Sequence, residues 1–123
     1  MTKLQMKLRD AIILLDAVVY SSRDERLDAE ILTARASDLM SEVLAEDAAP
    51  DILLTGLCNA QVIRTASVFG IKAVVFVRGI IPEKKIIDLA IDENVVIMTT
   101  THSLFVSSGL LFAGGVHGTP RNN

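Results

Sequence analysis

The chain has no tryptophan, one tyrosine, one cysteine and three prolines in 123 residues. Aromatic residues are only 4% of it, so its core must be built from Ile, Val, Leu and Ala. With Cys58 alone an internal disulfide is excluded, and one cysteine with two histidines is too few for a structural zinc site. No metal or other cofactor is expected, and a reducing cytoplasm fits. Charge of one sign is also scarce. Twelve Lys and Arg stand against fifteen Asp and Glu, a net charge of −3, with no long run of like charges. That argues against nucleic acid as a partner, since non-specific binding needs a basic face. Long apolar runs are missing too, and the longest fall far short of a membrane span. The start, MTKLQMKLRD, carries charge where a signal peptide needs its apolar region. These absences predict a soluble cytoplasmic protein.

What is present is apolar patterning. Half the residues are hydrophobic, enough for one domain with a real core. Leu4, Leu8, Ala11, Ile12 and Leu15 recur at helical spacing, which predicts a first helix over Lys3 to Leu15. AVVYS, residues 17–21, reads as a short strand, and the alternating EILTARAS, residues 30–37, as another. Asp38 is then a candidate cap for a short helix carrying Leu39, Met40, Val43 and Leu44.

From residue 51 onward a short apolar run is followed three times by a polar turn and a helix. The units are DILLTG with CNAQVIRTASVFG, KAVVFVRG with PEKKIIDLAIDEN, and VVIMTTT with HSLFVSSGLLFAGG. Pro82 suits a first helical position in the second unit. Near-continuous apolar strands alternating with helices imply a parallel sheet covered on both faces. The expected fold is a single three-layer α/β/α domain over residues 1–116, with a mainly parallel central sheet of about five strands. HGTPRNN, residues 117–123, is expected to be a disordered tail.

In such a sheet the strand ends share one edge, where α/β proteins bind ligands. That edge collects Thr55, Gly56, Asn59, Arg78, Gly79, Thr99, Thr100, Thr101, His102 and Ser103. Helix starts there offer backbone N–H groups to an anion, and Arg78 has the fork that suits a phosphate or carboxylate. The plainer reading is that the Thr and Ser hydroxyls of TTTHSL cap the last helix, and it is the leading one.

Catalytic readings fare worse. His102 and Ser103 are adjacent and point apart, so they form no nucleophile–base pair. No G-x-S-x-G, Walker loop or dinucleotide glycine pattern is present. Asp38 and Glu42 share a helix face but read as solvated carboxylates, and Cys58 as a small buried residue rather than a reactive thiol. The last helix, with Phe105, Leu110, Leu111 and Phe112, is apolar nearly all round, which implies burial all round. Phe105, Gly109 and Phe112 are therefore candidates for a homodimer interface.

RASDLMSEVLAED, DILLTG and GIKAVVFVRGIIPEKKIIDLAIDENVVIMTTTHSLFVSSGLL, in that order, resemble the DRTGG domain. The likeness runs from the first helix to about Gly115. The domain occurs as a short stand-alone bacterial protein, in front of phosphotransacetylases, and beside cystathionine-β-synthase-type repeats in some pyrophosphatases. Its fold is similar to the amino-terminal domain of the kinase acting on the histidine-containing phosphocarrier protein. The resemblance implies a regulatory or dimerising module without catalytic residues of its own. The signature that names the family falls near Asp28, where this chain reads DAEILTA: the aspartate is kept, the arginine and the glycine pair are not. Two functions follow, a regulatory dimerisation module or a small-ligand sensor for a nucleotide or other anion, and a protein partner is compatible with the first.

Overall fold

The computed structural model describes residues 5–21, 24–45 and 48–119. Helix α1 spans Leu8–Leu14, strand β1 Val18–Ser21, β2 Thr33–Ala36, α2 Met40–Leu44, β3 Ile52–Thr55, α3 Ala60–Phe69, β4 Ala73–Phe76, α4 Lys84–Asp92, β5 Val96–Thr99, α5 Leu104–Ala113 and β6 His117–Gly118. A 3-10 turn at Asp24–Asp28 joins β1 to β2. The six strands lie in the order β1-β5-β4-β3-β2-β6. All neighbours are parallel except β1, which runs antiparallel to β5. The expected parallel neighbours β3, β4 and β5 are adjacent in the sheet, with Leu53 opposite Val74 and Val74 opposite Ile97.

Strand periodicity divides the core into two. Leu53, Val74, Phe76 and Ile97 point to one face, where Met40, Val43, Val62, Ile63, Ala66, Ile86 and Ala90 of α2, α3 and α4 cover them. Ile52, Leu54, Ala73, Val75, Val96 and Met98 point to the other, against Leu8, Ala11 and Leu15 near α1 and Leu111 of α5. The connections from β2 to β5 step one way across the sheet, so right-handed crossovers place three helices on one face. The return from β5 to β6 steps the other way and puts α5 on the opposite face with α1.

Several boundaries differ from the sequence reading. The first helix begins at Leu8, not Lys3: Lys7 is extended and bridges Glu30, with the Met6 carbonyl accepting from Ile31 N at 2.7 Å. Residues 1–4 lie outside the described residues. The Lys7 N–H donates to the Asp10 carboxylate at 2.9 Å, so the capping oxygen comes from inside the first turn. Pro82 precedes Glu83, the N-cap of α4, instead of opening the helix. Among the described residues the sheet has six strands, in line with the expected mainly parallel sheet of about five. The segment from His117 was expected to be a tail, but His117 and Gly118 pair with Thr33 and Ala34 of β2. Residues 120–123 lie outside the described residues. That strand has two residues and no apolar alternation, so only its position beside β2 reveals it.

Candidate functional site

The strand-end edge forms as expected, but its polar groups serve one another. At the end of β3 the Thr55 hydroxyl accepts from Leu57 N at 3.1 Å and donates to Asp38 Oδ1 at 3.2 Å. The same carboxylate oxygen accepts the Gly56 N–H at 2.6 Å. Asp38 therefore does not cap α2, as the sequence suggested. The N-cap of that helix is Leu39, with no side-chain bond. The local turn is made by Ser37, whose Oγ accepts from Leu39 N at 3.0 Å. Asp38 is left free to reach across to β3 and place a negative charge on a strand-end N–H, the position an anionic ligand would take.

Downstream, Arg78 and Gly79 both adopt left-handed backbone, at φ 63° and 70°. This turn is stitched to the loop after β5: Arg78 N donates to the His102 carbonyl at 2.8 Å and Gly79 N to the Thr100 carbonyl at 2.9 Å. Non-glycine left-handed backbone costs roughly 1–2 kcal/mol, and those two bonds hold it in place. The Arg78 guanidinium then lies across Gly56. A Cβ at position 56 would stand 3.0 Å from Arg78 Cζ, and a nitrogen of the fork is closer still. Gly56 thus lets the guanidinium rest against the backbone; a side chain there would have only the flexible end of the exposed Arg78 to displace. Arg78 itself is exposed, and among the described residues its side chain has no hydrogen bond or ion pair.

TTTHSL divides its labour. Ser103 is the N-cap of α5, and its Oγ accepts from Val106 N at 3.1 Å. Thr100 and Thr101 were expected to share that task and do not. The buried Thr100 hydroxyl donates to the Leu15 carbonyl at 2.6 Å, tying the end of α1 to the end of β5, and also accepts from His102 N at 3.3 Å. Thr101 is exposed, its methyl 4.0 Å from where a Cβ on Gly79 would lie. Asn59 caps α3 by accepting from Val62 N at 3.0 Å. The structure thus brings Gly56, Arg78, Gly79, Thr100 and His102 into one stitched cluster. It leaves Asn59 at the mouth of a separate groove of about 420 Å³ between α3 and α4, which Cys58, Arg64, Glu83 and Lys85 also line. Cys58 is half-buried, and burial, with a smaller contribution from the Glu83 carboxylate, pushes its thiol pKa up. That is the reverse of what a reactive thiolate requires.

Asp28, at the position of the family signature, meets Arg9 at 3.2 Å on the surface. Such an exposed pair contributes little to stability. Among the described residues no group of three or more His, Cys, Asp or Glu is placed to hold a metal, and no helix is long and apolar enough to cross a membrane.

On the other side of the sheet, α5 turns Ser107 and Leu111 inward. It is not buried all round within one chain: Phe105 is 87% and Phe112 71% exposed. Both rings border a groove of about 380 Å³ between α5 and the β2–β6 margin of the sheet, floored in part by Ala34, Ala36 and Gly118. Sequence reading found the rings and Gly109 but missed the floor, because small residues on a strand carry no signal of vacancy. It also missed Asp38 as the partner of Gly56, since no local pattern joins positions 18 apart.

No family model matches the chain, and no curated relative does. Among solved structures it is similar to the crystal structure of the CBS and DRTGG domains of the regulatory region of Clostridium perfringens pyrophosphatase, complexed with the activator diadenosine tetraphosphate. The TM-score is 0.67 at 24% sequence identity, over 85% of this chain and 45% of that one. The chain therefore spans less than half the length of that neighbour, which is a regulatory region rather than a catalytic domain. What the likeness establishes is the architecture: this chain has a DRTGG-like α/β fold.

Proposed function

We propose that the chain is a non-catalytic, cytoplasmic regulatory module that works as a homodimer, with α5 at the interface. The observation that carries the reading is the exposure of Phe105 and Phe112 on either side of Gly109. The three residues form one uncharged helical stripe, and two phenyl rings left in water at this spacing are unfavourable unless another surface covers them. A regulatory region as structural neighbour supports the same reading. Gly109 gives a clean test. No atom lies within 4 Å of a Cβ built there, so a larger side chain is tolerated by the monomer. Light scattering is expected to find a dimer, and Gly109→Leu to weaken it at least tenfold with the circular dichroism unchanged. A wild-type monomer at high micromolar concentration overturns the reading.

A second reading rests on Arg78. Its guanidinium is exposed, lies against Gly56, and has no side-chain partner among the described residues. A nucleotide or other anion is the ligand class it fits, and the neighbour was solved with a nucleotide activator. Thermal shifts across a nucleotide panel test this: a ligand that binds only the folded state raises the melting temperature. The rise should vanish in Arg78→Ala. No shift with any nucleotide removes this second reading and leaves the first standing.

A further inference from the structure

The two faces of the sheet are covered unequally. Three helices lie over one face, and two, α1 and α5, over the other. Among the described residues the uncovered margin is the part over β2 and β6, and its floor is made in part of Ala34, Ala36 and Gly118. Small residues on a strand leave room for something bulky to settle onto the sheet. The wall of the same groove is α5, with Phe105 and Phe112 standing almost free. One patch thus carries both two large apolar knobs and an apolar hollow, and a surface with both is complementary to itself.

Resting on the homodimer reading, we infer that each copy seats Phe105 and Phe112 of α5 in the other copy's groove, on the floor formed by β2 and β6. The two α5 helices then make a shared layer between two sheets, each filling the helix position its partner lacks. Such an interface is isologous: a residue that receives a ring also belongs to the chain that donates one.

Geometry fixes which residues meet. Putting one sheet above and one below a common helix layer requires the two-fold axis to run along the helices, so the α5 helices are parallel. Helix α5 leaves β5 at the carboxyl edge of the sheet and returns to pair β6 with the start of β2. Phe105, in its first turn, is therefore level with Ala36, the last residue of β2. Phe112, in its last turn, is level with His117 and Gly118.

The area suffices. Two rings at these exposures hide about 300 Å² per copy at the usual aromatic surface. With the receiving walls and the two-fold repeat the total reaches about 1,200 Å², the lower end for a specific stable interface. Among the described residues no acidic side chain lines the groove. Its Arg35 donates to the carbonyls of Val43 and Ala48 and to the Thr119 hydroxyl, so its guanidinium is already engaged by hydrogen bonds within the chain.

The test is cross-linking between differently marked chains in a Cys58→Ser background. Chains carrying Phe105→Cys are mixed with chains carrying Ala36→Cys and oxidised. Both positions are exposed, so the variants should fold, and circular dichroism checks that they do. The expected result is a disulfide-linked heterodimer formed at least tenfold faster than either homodimeric link. If Phe105→Cys chains link to one another and the mixed pair does not, α5 meets α5 directly: the groove seating is overturned while the homodimer stands. If the wild-type chain is a monomer by light scattering, both fall.

Discussion

The carboxylate of Asp38 accepts the backbone N–H of Gly56 at 2.6 Å, joining the loop before α2 to the end of β3. The same oxygen takes the Thr55 hydroxyl. A charged acceptor serving two donors contributes more than a neutral bond, about 1.5–3 kcal/mol, although Gly56 is partly exposed and solvent reduces that. Asp38→Ala is expected to lower unfolding free energy by about 1–2 kcal/mol in urea. A loss no larger than that of an ordinary surface substitution would mean the contact contributes nothing.

Arg78 holds a left-handed backbone at φ 63°. Glycine adopts that conformation without steric cost, whereas a β-branched residue resists it most. Arg78→Gly should be neutral or stabilising by up to about 1 kcal/mol, and Arg78→Val destabilising by more than about 1 kcal/mol. Denaturant midpoints of the two variants in the opposite order would show that the turn is not held in this conformation.

Ser107 is wholly buried on α5, and its hydroxyl has no hydrogen-bond partner among the described residues. A buried unpaired hydroxyl costs about 1–3 kcal/mol, and alanine keeps the small volume that lets α5 approach the sheet. Ser107→Ala should raise the melting temperature by a few degrees. A fall would assign the hydroxyl a partner it lacks here.

Burial pushes the Cys58 thiol pKa up, so the folded state favours the protonated form. Alkylation by iodoacetamide at pH 8 should be slower than for a free cysteine and should rise only at more alkaline pH. The sign for stability is that of an acid with a raised folded pKa. Its contribution is complete below the unfolded value and is lost as pH climbs through the folded one. Cys58→Ser should therefore flatten the alkaline side of the stability profile. A thiol that reacts faster than the free amino acid at pH 8 would contradict the burial.

The three strand–turn–helix units were legible because each depends on neighbours in the chain. ILLT, AVVF and VIMT are buried on both faces and read as continuous apolar runs. Asn59 and Ser103 cap their helices through bonds to Val62 and Val106, three residues on. The same local logic misassigned Asp38, since a cap and a long-range acceptor look alike in sequence. It also grouped Thr100 with Ser103, although the Thr100 hydroxyl is spent on Leu15, 85 positions away.

The sequence by itself determined the alternation of strands and helices and the parallel order of β3, β4 and β5. Hydrophobic period, caps and crossover handedness are properties of short segments. Only the tertiary structure decided which polar groups at the strand ends are already occupied, that β6 returns to β2, and that among the described residues a groove lies between the β2–β6 margin and Phe105 and Phe112. Those outcomes depend on which distant segments become neighbours. That choice is made by the burial of both faces of the sheet together, and no window of the chain contains it.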